Sequence, residues 1–296
     1  MVALYHAIEA STISAYGKGV GWGTIHPMKL LNGSELAGFI KERQAHQVRS
    51  LRQSMQIQPK LAIVVTIDHP AINVYMRMKQ RYGADILVDV EVHRVSQDEA
   101  VSVIEQLNTD LSVHGIIVQL PLENPSQTNI VVNAVIPAKD VDGLGKDAIL
   151  EPATPLAILW LLAGYNVSIT GKHVVLVGQG KLVGAPLKKI LEASEYDVEV
   201  VDSRTKNREA VIAGGDIVIT ATGQPGLVNA AMIKEGAVVV DAGVAGEQGK
   251  TVGDLADDVY ERDDITITPR KGGVGPLTIC ALFDNVIRAA RASAAE

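Results

Sequence analysis

Residues 172–186 read KHVVLVGQGKLVGAP, and the way this stretch is read decides the fold. Four consecutive apolar residues, Val174 to Val177, have the character of a strand buried on both faces. Glycines follow at 178, 180 and 184, and LVGAPLKKILEAS continues with helical spacing. A glycine-rich turn between a buried strand and a helix lets bare backbone approach a phosphate while helix N–H groups face the anion. Gly178, Gln179, Gly180, Val183 and Gly184 are therefore candidate cofactor contacts; the alternative is a bare structural turn. The next strand, YDVEVVD, ends at Asp202 and Ser203, 24 positions after Gly178. A carboxylate there accepts hydrogen bonds from ribose hydroxyls and repels a 2′-phosphate, which points to NAD rather than NADP. Asp is also a common turn residue at strand ends.

On the C-terminal side, GDIVITATG (215–223) and GAVVVDAG (236–243) read as further strands. Both end at glycine, which adds Thr222, Gly223, Gly243 and Val244 to the candidate cofactor contacts. On the N-terminal side, strand and helix alternate from Lys60. KLAIVVT is a buried strand, and PAINVYMRMKQRYG a helix stopped by Gly83. ADILVDVEVHRV is a strand, SQDEAVSVIEQLNTD a helix with a Ser N-cap, VHGIIVQLPL a third strand and PSQTNIVVNAVIP another helix. This alternation predicts an α/β fold with parallel sheets covered by helices. Gly and Pro interrupt the pattern in KDVDGLGKDAILEPATP, which places a domain junction near Leu150. The expected organisation is an extension over 1–27, a catalytic α/β domain over 28–150 with 277–296, and a Rossmann-like domain over 151–276. The last helix, LTICALFDNVIRAARASA, is expected to pack back on the first domain. The helical pattern of MKLLNGSELAGFIKERQ makes Met28 the expected start of the structured chain.

The 296 residues carry 34 acids and 27 bases, a net charge of −7, and no basic block. Nucleic acid and anionic membranes are held by clustered Lys and Arg, so neither is an expected partner. The single cysteine, Cys280, cannot form an internal disulfide, and no Cys/His set has zinc spacing, so no metal is expected. The longest apolar stretch, Pro155 to Gly164, is about half a membrane span. A cytoplasmic protein is expected.

PAINVYMRMK, GIIVQLPL, KDVDGL, PATP, VGQGKLVGAP and GGVGPLT, in this order, resemble the bifunctional methylenetetrahydrofolate dehydrogenase/methenyltetrahydrofolate cyclohydrolase family from about Met28 to Ala292. The resemblance implies oxidation of methylenetetrahydrofolate with NAD or NADP. Hydrolysis to formyltetrahydrofolate follows, a step of one-carbon metabolism that serves purine biosynthesis. It further implies Lys79 as the catalytic lysine and Gln119 as its partner. Tyr75 would pack on the folate rings and Asp142 hold the pterin. Gly272, Gly273, Pro276 and Thr278 would form a loop closing over the site. A homodimer and a cleft between the domains are implied as well. Tyr75 and Lys79, at i and i+4, share a helix face. An exposed lysine is a poor base at neutral pH, whereas burial lowers its pKa.

The chain departs from the family at several points. Gln179 and Gly180 replace the usual Arg and Ser of the glycine loop, and Asp202 replaces a common His; both favour NAD or weaken cofactor binding. Ile72 replaces a serine near the lysine, which leaves open a dehydrogenase without cyclohydrolase activity. Arg270 and Lys271 stand where the family has Val and Pro; contact with the glutamate tail of folate and altered loop geometry are both open. The other rivals are a non-catalytic nucleotide- or folate-binding module and a dehydrogenase of another substrate class, such as a shikimate-type or hydroxy-acid substrate.

Overall fold

The structure is a computed structural model that describes residues 29–247 and 250–294; the expected extension over 1–27 lies outside the described residues. Contacts divide the chain into two units. One holds residues 29–36 and Thr154–Leu277, the other Ala37–Ala153 and residues 278–294. The divisions fall inside three helices, α1 (Gly33–Ser54), α5 (Ala153–Gly164) and α8 (Val274–Ala292). Residues 29–36 thus join the nucleotide-type unit, where the sequence pattern assigned them to the first domain. The cause is a two-residue strand, β1 (Lys29–Leu30), which pairs in parallel with β11 (Thr266–Ile267). Asn32 N donates to the hydroxyl of Tyr165 at 3.0 Å in the same unit. The expected helix therefore begins five residues after Met28, with Asn32 Oδ1 accepting from Ser34 N at 3.1 Å as its cap.

The lysine-bearing unit is built on a three-stranded parallel sheet in the order β3 (Asp89–Arg94), β2 (Lys60–Val65), β4 (Gly115–Val118). Helices α2 (Pro70–Asp85) and α3 (Gln97–Thr109) make the crossovers, and a short α4 (Thr128–Val132) follows β4. β2 and β4 are buried almost throughout, which accounts for their unbroken apolar runs. Ser96 caps α3 in a capping box with Glu99. Gly83 does not stop α2, which continues to Asp85. A Cβ at 83 would lie 2.5 Å from Val90 Cγ2 and 2.9 Å from Val88 O, so glycine is needed where α2 packs against β3. The reversal comes at Leu87, in the left-handed region (φ 66°). From α8, Phe283 stacks on Tyr82 at 5.0 Å between ring centroids, and Val286 faces Gly115.

The other unit contains a six-stranded parallel sheet in the order β1-β11-β8-β7-β5-β6, with β5 (Val174–Val177), β6 (Val198–Val201), β7 (Ile217–Thr220) and β8 (Val238–Asp241). Helices α6 (Gly184–Ala193) and α7 (Arg208–Gly214) follow β5 and β6. An antiparallel pair, β9 (Ala245–Glu247) and β10 (Lys250–Val252), lies outside the sheet. From β5 the chain moves outward to β6 and then returns to β7 on the opposite side. The carboxyl ends of β5 and β7 therefore flank a topological switch point, where open α/β sheets bind ligands. Among the described residues no helix is long and apolar enough to cross a membrane.

Candidate active site

In the lysine-bearing unit, the first residue beyond β4 is Gln119. Its N–H extends the ladder by bonding Val64 O at 2.9 Å, which sets the side chain at the carboxyl edge of the sheet. Gln119 Nε2 donates to Leu120 O at 2.9 Å, which leaves Oε1 to face α2. There Lys79 Nζ donates to Gln119 Oε1 at 3.0 Å. Burial holds the Lys79 amine below the ordinary lysine range, and the negative charge of Asp142 pulls it partly back. Burial likewise pushes the Asp142 carboxyl above the usual carboxylate range, with Lys79 drawing it down and Asp140 raising it further. Each group thus feels the other's charge, and each is less readily ionised than in water. Tyr75, one turn before Lys79, is exposed at 40%.

The two aspartates of KDVDG have different environments. Asp140 is buried, and its carboxylate accepts from Gly143 N (3.0 Å), Leu144 N (3.4 Å) and Gly145 N (2.8 Å). It builds the turn, which the left-handed Gly143 (φ 67°) completes. Among the described residues no hydrogen bond reaches the carboxylate of Asp142, so its lone pairs remain available to a ligand. Asn285 of α8 braces this segment by donating from Nδ2 to Val141 O and Glu151 O, both at 2.9 Å. Ile72 is 5% exposed and belongs to the apolar core.

In the nucleotide-type unit a cavity of about 280 Å3 opens at the carboxyl ends of β5, β6 and β7. Of the candidate cofactor contacts, Gly178, Gln179, Gly180, Asp202, Ser203 and Thr222 line it. Val183, Gly184, Gly223, Gly243 and Val244 do not line it. Gly184 lies beneath the loop instead: a Cβ there would be 2.2 Å from Gly178 O. Gly178 itself has φ 102°, and its Cβ would meet Ala221 O at 2.8 Å, whereas nothing lies within 4 Å of a Cβ at 180. The loop is thus packed tightly below and open above, directly ahead of α6. That cradle fits a pyrophosphate against backbone N–H groups, and the cavity beyond suits the adenosine end of a dinucleotide.

Sequence reasoning missed Arg208, Glu209, Ile212, Gln224, Leu227 and Met232, which also line the cavity. Arg208 opens a seven-residue helix too short to carry a clear periodicity, and no local pattern marked the others. Asp202 has a neighbour that the spacing did not reveal. Its Oδ1 accepts from Arg204 N at 2.8 Å, and its Oδ2 from Arg204 Nη2 at 2.8 Å, which holds the carboxyl below its usual range. Arg270 lies over the ring of Tyr260, 4.1 Å from its centroid, and pairs with Asp257. Gly272 (φ 83°) accepts from Ser34 N at 2.9 Å, and a Cβ at 33 would collide with Gly273 O. These glycines let the 272–273 loop pack on the start of α1. Pro276 and Thr278 fall in the first turns of α8.

A doubly wound sheet with a phosphate cradle, carried on the same chain as a buried lysine–amide pair beside an unbonded carboxylate, defines a two-domain α/β enzyme of the nucleotide-dependent class. Residues 31–142 match the tetrahydrofolate dehydrogenase/cyclohydrolase catalytic domain, and residues 152–294 match the NAD(P)-binding domain of the same proteins. The bifunctional protein FolD of Streptococcus pyogenes (serotype M5, strain Manfredo) is 37% identical over 276 residues, covering 88% of this chain and 97% of that protein. The crystal structure of the bifunctional methylenetetrahydrofolate dehydrogenase/cyclohydrolase FolD from Campylobacter jejuni is similar at a TM-score of 0.84 and 33% identity, covering 90% of this chain and 99% of that one. The Trypanosoma brucei methylenetetrahydrofolate dehydrogenase-cyclohydrolase, complexed with NADP and an inhibitor, is similar at a TM-score of 0.84 and 28% identity, covering 91% and 99%. The chain belongs to the tetrahydrofolate dehydrogenase/cyclohydrolase family.

Proposed function

We propose that this chain oxidises methylenetetrahydrofolate to methenyltetrahydrofolate and then hydrolyses the product to formyltetrahydrofolate, with Lys79 as the base of the second step. The observation that carries this reading is the 3.0 Å bond from Lys79 to an amide whose own orientation is fixed by Leu120 O. The amine is thereby aimed, and its lowered pKa enlarges the neutral fraction able to accept a proton. A bound nicotinamide dinucleotide supplies the hydride acceptor of the first step. Gly178, Gln179 and Gly180 would hold its pyrophosphate, and Asp202, Ser203 and Thr222 would meet the adenosine end.

The one-carbon bridge lies between two nitrogens, which stabilise the cation left by hydride loss. The protein's task in that step is placement, with Asp142 accepting from the N–H groups of the pterin and Tyr75 offering a ring face to it. In the second step water attacks the methenyl carbon and one of its protons passes to the neutral Lys79 amine; the remaining hydroxyl proton moves to the departing ring nitrogen as that carbon–nitrogen bond breaks, which releases the formyl product. Gln119 holds the amine without adding a charge.

The residues at the cofactor end lead us to propose NAD as the preferred acceptor. Gln179 brings no cation to a 2′-phosphate, and Asp202 presents a carboxylate to the ribose. Arg204 competes for that same carboxylate, so the preference is one of degree. Assembly as a homodimer and residence in the cytoplasm are further parts of this proposal. They rest on the family and on the single buried cysteine. Steady-state oxidation of methylenetetrahydrofolate with NAD and NADP side by side tests the reading. A higher kcat/KM with NAD supports it, a higher value with NADP removes the cofactor choice, and no reduction of either removes the function.

A further inference from the structure

Behind the loop that walls the nucleotide cavity lie two aspartates with no place in the chemistry above. Asp254 is fully buried; its Oδ2 accepts from Thr222 N at 2.7 Å and its Oδ1 from Gln224 N at 2.9 Å. Both donors belong to cavity-lining residues beyond β7. Asp241, at the end of β8, accepts in turn from Asp254 N (3.1 Å), Gly243 N (2.9 Å), Leu255 N (3.2 Å) and the hydroxyl of Thr220 (3.0 Å). Two glycines make room for these carboxylates. A Cβ at 243 would lie 2.1 Å from Asp254 Oδ1, and a Cβ at 253 would lie 2.0 Å from Asp241 Oδ2. The segments after β7, after β8 and around 253–255 are thus bound together by two carboxyl groups, that of Asp254 buried and that of Asp241 half-buried, which meet backbone N–H groups and hydroxyls.

We propose that Asp254 is a positioning residue for nucleotide binding: its carboxylate, anchored by Asp241, fixes residues 222–224 in the form that walls the cavity. Glycine at 243 is then required by Asp254 and not by contact with the cofactor. The inference rests on the reading of the cavity as the nucleotide site. A carboxylate can accept both N–H groups at once, whereas an amide turns its own NH2 toward one of them. Leaving a buried N–H unpaired is costly, and hydrogen bonds to charged groups are among the stronger ones.

The test compares wild type with Asp254→Asn, Gly243→Ala and the double variant. It measures KM for nucleotide, KM for methylenetetrahydrofolate, methenyl hydrolysis and thermal stability. Asp254→Asn is expected to raise the nucleotide KM about tenfold or more, from one lost charge-assisted bond. Folate KM and methenyl hydrolysis remain within about twofold, since neither uses this loop. Gly243→Ala gives the same defect by displacing the carboxylate, and the double variant is no worse than the more severe single one. Additive effects would overturn the proposal by making Gly243 an independent contact. So would a parallel fall in hydrolysis and stability, which marks a merely structural role, and so would an unchanged nucleotide KM in variants of a wild type that binds NAD or NADP. Failure of the wild type itself to bind either nucleotide would instead overturn the reading of the cavity, and this inference with it.

Discussion

Replacing Lys79 by Met keeps most of the side chain's length and apolar stem and removes only the amine. General-base catalysis contributes roughly 100- to 10,000-fold to a rate, about 3–5.5 kcal/mol of barrier, so methenyl hydrolysis should fall by at least about 100-fold. The structure also predicts what happens to stability. An ordinary lysine with pKa 10.5 is neutral in only about one molecule in 3,000 at pH 7, and burial of Lys79 raises that fraction. Because the folded pKa lies below the unfolded one, the unfolded chain binds more protons between those two values. Stability contributed by this site therefore rises with pH through that window and is at its lowest below it. Removing the amine removes that penalty together with the 3.0 Å bond to Gln119 and the charge that draws Asp142 down, so Lys79→Met at pH 7 should melt close to wild type. The same shift predicts that wild-type hydrolysis rises with pH through an apparent pKa below 10.5. The assay follows loss of the methenyl chromophore above the uncatalysed rate, beside a thermal melt. Hydrolysis within about threefold of wild type would refute the reasoning, because no general base of the expected strength could then have been removed. So would a fall in hydrolysis matched by a lower melting temperature.

Asp202→Ala should raise the KM for NAD more than that for NADP, because it removes a ribose acceptor and releases Arg204 from its 2.8 Å bond; equal changes in steady-state kinetics would count against it. Gly184→Ala should destabilise the fold by about 1–3 kcal/mol and impair nucleotide binding, since its Cβ would press on Gly178 O, as denaturant unfolding and a nucleotide titration would measure. Arg270→Ala should leave the KM for polyglutamylated substrate unchanged, because this guanidinium is engaged by Tyr260 and Asp257; a marked rise would restore the tail-binding alternative.

The strands β2, β4, β5, β7 and β8 were legible because burial on both faces demands unbroken apolar runs, and α3 because its capping box is written in Ser96 and Glu99. The two-residue strands β1 and β11 were not, since Lys29–Leu30 becomes a strand only by pairing with residues more than 200 positions away. Gly83 misled for a related reason: the neighbour that demands a glycine there, Val90, sits on the following strand. At the candidate site, Gly178, Gly180 and Asp202 carried a local signal of spacing. Lys79, Gln119 and Asp142 came from the family resemblance, because a lone lysine on a helix has no distinguishing pattern. Arg208, Met232 and Asp254 take their places only when loops from different strands converge, and Asp254 in particular looks in sequence like one more surface acid.

The most direct test is a product analysis of one pass of purified protein over methylenetetrahydrofolate and NAD. One formyltetrahydrofolate should appear for each nicotinamide reduced, faster than uncatalysed hydrolysis, with methenyltetrahydrofolate present only in passing. Accumulation of methenyltetrahydrofolate to the level of reduced nicotinamide, followed by decay at the uncatalysed rate, would contradict the assignment of hydrolysis to Lys79 and Gln119.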